Sequence, residues 1–394
     1  MSEENTDTAG AGGKLAANAR LRRRHRAERR FRGICIAALG LAGAFLVLFL
    51  SSMVAAAWPA FTQTEVKVEI DFSDPDQAWQ AIDPELNSIV SRGVTRVLPQ
   101  RLENNPELAG ESFQEWVLAK AEIDQYRKGT GSLDAEVRER VERLEEQGRF
   151  RDSFNHWLFT EGDSKLPEMA GLKAAIVGSI YVLALTLAFA FPIGVLSAIY
   201  LEEFAPDNRF TQAVEININN LAAVPSILFG LLGLAIMINF FGVPRSSAIA
   251  GGLTLGLMTL PIVIISTRAA LRAVPHSIRE GALAMGATRW QTVRDHVLPM
   301  SLPGILTGTI IGLAQAMGET APLLLIGMVA YIPDVPGSVT DAATVMPAQI
   351  YSWASMPQQA FMERAAAAIL VLLTVLIALN ATAVYLRRRF ERRW

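Results

Sequence analysis

The sequence contains a single cysteine, Cys35, so no disulfide can form within the chain. Its four histidines are scattered, and no cluster with the spacing of metal ligands is evident. A phosphate-binding loop of the form G-x-x-x-x-G-K-[ST] is also missing, so ATP hydrolysis would have to come from another chain. We therefore expect a protein with no catalytic residues, no metal and no cofactor of its own.

What the chain has instead is apolar residues, which make up 51% of its 394 positions and give a mean hydropathy of +0.28. Runs of about 20 apolar residues cross a ~30 Å hydrocarbon core as helices. The pattern predicts an all-α membrane protein with six transmembrane helices. We place these helices near residues 34–58, 171–200, 214–240, 248–271, 302–332 and 363–386. Prolines inside the second to fifth helices favour kinks, of the kind that line a path.

Basic residues flank the first and last apolar runs. Eight arginines lie between Arg20 and Arg32, and five more lie between Arg387 and Arg393. By the positive-inside rule both ends are cytoplasmic, in a multi-pass protein of the cytoplasmic (inner) membrane. We read residues 1–33 as a disordered tail and 34–58 as a retained first span. A nucleic-acid-binding arm or a signal peptide, with Ala55-Ala56-Ala57 as its cleavage site, fits less well, and we expect no nucleic-acid partner.

Residues 59–166 form a polar, acidic insert that this topology places outside the cytoplasmic membrane. Alternation at Glu65–Ile70 predicts one strand, and helical patterns follow near 75–90, 112–128 and 133–147. In the last pattern, Glu136–Arg140 and Glu139–Arg143 are spaced as i,i+4 ion pairs. We expect a small, mainly helical α+β domain that can meet an external binding protein. Residues 167–394 would form a separate five-span core.

A charged segment, residues 272–299, separates the fourth and fifth apolar runs, and we call it the coupling loop. Ser277 with Glu280 and Thr288 with Gln291 have the spacing of capping boxes, which predicts two short helices. Gly286 would end the first helix and Pro299 the second. We expect this surface to meet a cytoplasmic partner, although Glu280 could serve only as a helix cap.

Charged residues inside spans are costly and by default mark a substrate path. Glu319 lies about 21 Å into the fifth span if that helix enters the hydrocarbon near residue 305. Arg268 lies near the inner end of the fourth span, where it could equally extend its charge to the interface. We do not expect the two to pair, and we look for the cation that meets Glu319 on a second chain.

The coupling loop resembles the motif through which permeases of ABC importers meet their ATPases. Its pattern, E-A-A, then G, then I-x-L-P, is matched by Glu280-Gly281-Ala282, Gly286 and His296-Val297-Leu298-Pro299, with Gly281 and His296 as departures. The resemblance implies an ATPase-coupling role for this set of residues. The set comprises Ser277, Arg279, Glu280, Gly281, Ala282, Gly286, Thr288, Arg289, His296, Leu298 and Pro299.

The segment from Gly318 to Leu324, GETAPLL, is similar to the signature of the A-type permease of the phosphate-specific ABC importer. This resemblance covers roughly residues 171–390, and the insert resembles an extra N-terminal domain of some members. It implies the type I importer (MetI-like) fold, a second homologous permease subunit, two ATP-binding subunits and a periplasmic phosphate-binding protein. Inorganic phosphate would be the substrate, and phosphate-signalling proteins would be further partners.

Gln315 departs from the family pattern, because many relatives have arginine four residues before the glutamate. A glutamine can donate a hydrogen bond but brings no charge, so Arg268 or a partner's arginine would have to supply it. The expected substrate-path residues are Glu319, Thr320, Gln315 and Arg268.

These features predict a permease subunit that moves inorganic phosphate inward, powered by ATP hydrolysis on a partner. A permease for another oxyanion is the nearest alternative. A membrane scaffold for phosphate-responsive signalling is another. An intramembrane enzyme is less consistent with the sequence, which lacks paired ionisable residues at one depth.

Overall fold

The computed structural model describes the backbone of residues 7–74, 78 and 80–390, and the side chains from residue 24 onward within these ranges, except residues 386 and 390. The chain divides into two compact units, Met1–Ala55 and Ala56–Trp394. Across the described residues, five helices are long and apolar enough to cross a membrane, or six if one bent pair counts as a single span. The mostly helical membrane fold expected from the sequence is therefore confirmed.

A single helix, α1 (Asp7–Ala57), makes up the described part of the first unit. Its apolar half lies in the window Arg24–Phe61, whose mean hydropathy reaches 2.6. The sequence predicted a disordered tail over residues 1–33, whereas the structure describes a helix from Asp7 onward; the first six residues lie outside the described part. Arginine and alanine are the commonest residues of the tail from Asp7 onward, and both favour helix once the apolar span has nucleated it.

The insert is built on a three-stranded antiparallel sheet in the order β2-β1-β3. Its strands are β1 (Thr62–Asp71), β2 (Ser112–Leu118) and β3 (Phe150–Phe154). Val66, Val68 and Ile70 of β1 are fully buried, as alternation along a half-buried strand requires. Three helices cover this face with Leu98, Ile123 and Val141. They are α2 (Arg92–Asn104), α3 (Ala121–Arg127) and α4 (Ala135–Glu146).

The sequence predicted the insert only in part. The strand at Glu65–Ile70 and the helix at 133–147 are confirmed, as are the Glu136–Arg140 and Glu139–Arg143 ion pairs. The helix predicted over 112–128 is wrong in its first half, which is β2, because pairing with β1 satisfies that backbone. The pattern near 75–90 contains a short 3₁₀ helix, Pro84–Ser88, while α2 and β3 were not predicted.

The core follows a short helix, α5 (Trp157–Thr160). Its first long helices are α6 (Lys173–Ile199), α7 (Arg209–Ala222), α8 (Ser226–Leu232) and α9 (Ala248–Arg272). Then come α10 (His276–Ala284), α11 (Arg289–Thr292), α12 (Leu298–Gly318), α13 (Ala321–Leu325), α14 (Met346–Ala354) and α15 (Gln359–Phe390). Turns of π-helix, Tyr200–Phe204, Gly233–Phe240 and Val293–Val297, follow α6, α8 and α11.

The most buried span is α9, with 67% of its most apolar window inside the protein. Its glycines allow α6 to approach closely: a Cβ at Gly252 would lie 2.5 Å from Leu185 Cβ, and one at Gly256 would lie 2.7 Å from a ring atom of Phe189. Small residues at such contacts are how helices pack where lipid gives no hydrophobic driving force. The α6–α9 pair is thus the spine of the core.

Two of the predicted spans are broken. The third, predicted over 214–240, bends by 105° between α7 and α8, where Pro225 begins the second helix. The fifth, predicted within 302–332, ends as a helix at Gly318 and resumes as α13. Non-helical backbone at membrane depth is tolerated where protein or water forms hydrogen bonds with its free N–H and C=O groups. Each break therefore needs polar or backbone neighbours close by.

The insert rests on the end of the core that carries α14 and the start of α15, which we call the insert end. Trp353 Nε1 in α14 donates to Asp163 Oδ1 at 2.8 Å, and Arg364 Nη1 in α15 donates to the Ala170 carbonyl at 2.8 Å. Burial raises the pKa of Asp163, partly offset by the hydrogen bond from Trp353. The coupling loop lies at the other end, which we call the loop end.

The two broken spans meet at Gly230 of α8, where a Cβ would lie 2.7 Å from Pro322 Cα. We expect Gly230→Ala to lower the free energy of unfolding by about 1–3 kcal/mol, because backbone cannot yield to the added methyl. Gly281→Ala is the matched control: no atom lies within 4 Å of its Cβ, and alanine favours helix α10 by up to ~1 kcal/mol. The apparent Tm in detergent is measured for both variants. Equal shifts in Tm for Gly230→Ala and Gly281→Ala would contradict the close contact between Gly230 and Pro322.

Candidate functional site

The coupling loop consists of α10, α11 and the π-helical turn Val293–Val297. The first helix begins after Pro275, which occupies the N-cap position without a side-chain cap. The predicted capping box of Ser277 and Glu280 is therefore wrong: Pro275 shifts the helix start so that Ser277 lies inside the first turn. Glu280 is exposed.

Gly286 ends α10 as predicted, with φ +85°. Ala287 N–H donates to the Ala282 carbonyl at 3.1 Å and Gly286 N–H to Leu283 at 3.0 Å, the hydrogen bonds of a Schellman cap. The second capping box is also confirmed. Gln291 N–H donates to Thr288 Oγ1 at 3.3 Å, and Thr288 N–H donates to Gln291 Oε1 at 2.8 Å.

Leu298 and Pro299 were expected to close the second helix of the loop, and that prediction is wrong. Leu298 begins α12, and Pro299 lies in its first turn, where a missing N–H costs little. One helical path therefore runs from Arg289 to Gly318, without a hinge at the proline. The coupling loop and the fifth span are therefore parts of the same helix.

The outer face of the loop is apolar and open. Met285 is 88% exposed, Trp290 57% and Leu283 47%. Arg289 and His296 of the same loop are also exposed. Exposed large apolar side chains clustered on one polar-rimmed surface mark a protein contact. We call Leu283, Met285 and Trp290 the docking face.

The inner side of the loop is held by Arg279, which does not belong to the docking face. Its Nη2 lies 2.6 Å from Glu203 Oε1 and 2.9 Å from the Leu271 carbonyl, and its Nη1 lies 2.7 Å from the Val274 carbonyl. Arg279 thus joins α10 to the end of α9 and to the turn after α6. Carbonyls at a helix C-terminus are natural acceptors for such a cation.

Arg268 lies in the same network rather than beside Glu319. Its Nη2 binds Glu215 Oε1 at 2.6 Å and its Nε binds Glu202 Oε2 at 3.2 Å. Arg272 Nε binds the other oxygen of Glu202 at 2.8 Å. We call the six residues the loop-end network: Glu202, Glu203, Glu215, Arg268, Arg272 and Arg279.

The glutamates of this network were missed by the sequence reading. Glu202, Glu203 and Glu215 are not among the candidate site residues expected from the sequence. The available signal was the match in number between three glutamates after α6 and three arginines around the end of α9. Beneath the network, Ile199, Leu271, Val274, Val293 and Val297 form a buried apolar cluster that joins α6, α9 and the loop.

Glu319 lies at the break between α12 and α13, in extended conformation with φ −77° and ψ 124°. The prediction that it lies within a continuous helix is therefore wrong. Its side chain is half-buried, as is that of Thr320, while Gln315 one turn earlier is exposed. Within the described residues, neither Glu319 nor Gln315 makes a side-chain hydrogen bond or ion pair. Their charge and polarity remain available to a ligand.

The break beside Glu319 is supported by the other broken span. Pro322 in α13 contacts Gly230 in α8, and the buried side chains Phe229 and Leu323 belong to one apolar cluster. Discontinuous helices that meet inside a bundle expose helix ends and unpaired backbone groups, which transporters use to hold ions. The geometry therefore suits Glu319 to contact a polar solute.

Comparison with known proteins identifies a family. The model described as "Binding-protein-dependent transport system inner membrane component" matches residues 190–394, and one described as "Domain of unknown function (DUF3333)" matches residues 18–85. The first covers the core from α6 onward. The second covers much of α1 and the first part of the insert.

Among curated relatives, the chain is similar to the Probable ABC transporter permease protein YqgI of Bacillus subtilis, with 33% identity over 167 residues. That alignment covers 42% of this chain and only 56% of the relative. The Phosphate transport system permease protein PstA 1 of Mycobacterium tuberculosis is 32% identical over 244 residues, which cover 61% of this chain and 79% of the relative.

Among solved structures, the chain is similar to one described as "Inward facing conformations of the MetNI methionine ABC transporter". Sequence identity is 21% and the TM-score is 0.44, with 56% of this chain and 97% of that chain covered. A TM-score this low carries no conclusion.

The ion pair of Glu203 and Arg279 is the most enclosed in the loop-end network, with side chains 9% and 15% exposed. We expect Glu203→Gln to lower the free energy of local opening of the coupling loop by about 1–3 kcal/mol, since Arg279 loses its counter-charge. Hydrogen exchange of residues 276–299 should speed up accordingly.

Glu139→Gln is the control for this measurement. Its ion pair with Arg143 on α4 is 76% and 62% exposed, and such surface pairs contribute little. Unchanged protection of the coupling loop in Glu203→Gln would show that Arg279 does not hold it.

Proposed function

Because the chain belongs to the family of binding-protein-dependent transport system inner membrane components, we propose that it is a permease subunit of an ATP-driven importer that carries inorganic phosphate into the cell. The observation that carries the choice of substrate is the similarity to phosphate transport permeases over most of their length. No feature of the described residues favours another oxyanion or a scaffold without transport.

The proposed path passes Glu319. A half-buried carboxylate without a partner can accept a hydrogen bond from the O–H of protonated phosphate. Sulfate is fully deprotonated at neutral pH and offers no such donor. Thr320 and Gln315 lie on either side of Glu319 along the chain and can donate to the oxyanion. Binding here need only be weak, since a transported ion must leave again.

The positive charge for the anion comes, in this proposal, from outside the chain. Arg268 is held by Glu202 and Glu215, which neutralise it, so it is a poor candidate. We assign the role to an arginine of a second, homologous permease subunit facing Glu319. Backbone N–H groups at helix ends can assist, because they hold oxyanions without net charge.

Coupling to ATP is proposed to run through the docking face. Two ATP-binding subunits would contact Leu283, Met285 and Trp290 together with the exposed Glu280, Arg289 and His296. Closure of those subunits would push the loop. This displacement would be transmitted to the fifth span through the helix that continues from α11 into α12. It would be transmitted to α6 and α9 through Arg279.

In this arrangement the loop end is cytoplasmic, both chain termini are cytoplasmic, and the insert is periplasmic. A periplasmic phosphate-binding protein would deliver the ion at the insert end. Phosphate-signalling proteins would be further partners on the cytoplasmic side. Three arginines in the last turn of α15, Arg387, Arg388 and Arg389, support this orientation by the positive-inside rule.

We expect Glu319→Gln to reduce phosphate uptake by the reconstituted complex at least about tenfold, because a charge-assisted hydrogen bond is lost in the path. Uptake into vesicles with phosphate or molybdate supplied separately measures the effect. Glu107→Gln, an exposed carboxylate on the insert, serves as the control. Unaltered phosphate uptake in a normally assembled Glu319→Gln complex would remove Glu319 from the path, and preferential molybdate uptake would change the substrate.

A charge on the docking face should separate the permease from its ATPase. We expect Met285→Asp to weaken assembly with the ATP-binding subunits at least about tenfold, since an unpaired charge would have to be buried at the interface. Co-purification and ATPase activity report the loss. Met356→Asp, at an exposed methionine of the insert end, is the matched control. Equal loss in both variants would place the contact elsewhere.

A further inference from the structure

A recess of about 320 Å³ lies between the insert and the first turn of α15. Its walls come from three parts of the chain: the start of α2 and of α3, the linker before α6, and residues 358–360. Three cations line it: Arg92, Lys120 and Lys165. The volume falls within the range of pockets that hold small ligands.

The cations of the recess make no ion pairs within the part of the chain that the structure describes. Among the described residues, no carboxylate oxygen lies within ion-pair distance of Arg92, Lys120 or Lys165. Lys165 Nζ lies 5.5 Å from the centre of the Tyr331 ring, its one ring contact. Burial lowers the pKa of Lys120, and the charge of Arg92 lowers it further, against an opposing effect of Glu122 and Glu168. Arg92 and Lys120 therefore repel each other across the recess, and an anion bound between them would relieve that repulsion.

Two carboxylates share the walls without neutralising this charge. Glu168 is 7% exposed and accepts a hydrogen bond from Ser91 Oγ at 2.6 Å. Glu122 is exposed at the rim. Three cations against two carboxylates leave the recess net positive.

Backbone donors add to the positive field. Arg92 is the first residue of α2, with 13 residues, and Gln359 is the first of α15, with 32 residues. The N–H groups of Gln359 and Ala360 have no acceptor among the described residues. Helix N-termini attract anions through such free N–H groups and through the helix dipole.

We propose that this recess binds a small oxyanion of the phosphate type, held by Arg92, Lys120 and Lys165 and by the first turn of α15. Arginine provides a planar pair of donors that fits two phosphate oxygens, and lysine provides a compact charge. The bound ion joins the insert to α15 and so stabilises their contact. It is a second site, at the insert end and separate from Glu319. It holds whether or not the chain carries phosphate, since its three cations lie outside the candidate spans.

The test uses the full-length chain in detergent with inorganic phosphate, against potassium chloride at matched ionic strength. Hydrogen exchange localises the site. Phosphate should protect the N-termini of α2 and α15, and the concentration dependence gives an apparent Kd. We expect Arg92→Gln and Lys120→Gln each to raise that Kd about tenfold or more, because each removes a charge-assisted hydrogen bond.

Arg96→Gln is the matched control, an exposed arginine one turn further along α2 that does not line the recess. The apparent Kd of this variant for phosphate should stay within about twofold of the wild-type value. If Lys120→Gln fails to fold, Lys165→Gln replaces it, because that side chain is exposed. Repeating the measurement in Glu319→Gln separates this site from the transport path: protection should persist there.

Three results would overturn the proposal. Phosphate could leave the recess unprotected in the wild-type chain. Arg96→Gln could raise the Kd as much as Lys120→Gln, which would reduce the effect to general charge screening. Protection could arise only with an added binding protein and not with phosphate, which would make the recess a protein contact instead.

Discussion

The ion pair between Arg279 and Glu203 is the interaction on which the loop end depends. A guanidinium in a half-enclosed site needs all its donors satisfied, and Arg279 finds one carboxylate and two backbone carbonyls from two different elements. Its partners come from the turn after α6 and from the end of α9, the two helices that form the spine of the core. The coupling loop is therefore fixed to the spine on its inner side while its outer side stays free.

The same end shows how motion can be passed on. The turn Val293–Val297 is π-helical, with buried valines at both ends that pack on Ile199 and Leu271. A π-helical turn is wider than an α-helical turn and accommodates one extra residue without interrupting the helix. Such turns occur often at functional positions. The helix therefore continues from the docking face into the fifth span. That span ends at the break that carries Glu319, so one stiff element joins the two candidate sites.

Sequence alone was sufficient where one strong signal decided the outcome. Apolar runs predicted α6, α9 and α15 closely, and the φ preference of glycine predicted the end of α10 at Gly286. It failed where long-range contacts decided. The pairing of β2 with β1, the bend before α8 and the break at Glu319 each depend on neighbours far apart along the chain. The partners of Arg268 could not be predicted for the same reason, since Glu202 and Glu215 lie more than 50 residues away.

The register of the insert's sheet pairs Thr62, the first residue of β1, with Phe154, the last residue of β3. The chain therefore enters and leaves this domain at adjacent points of a single strand pair. A module whose two ends coincide can be gained, lost or exchanged during evolution as one piece, leaving the helices before and after it undisturbed. Its sheet and covering helices have their own buried apolar centre.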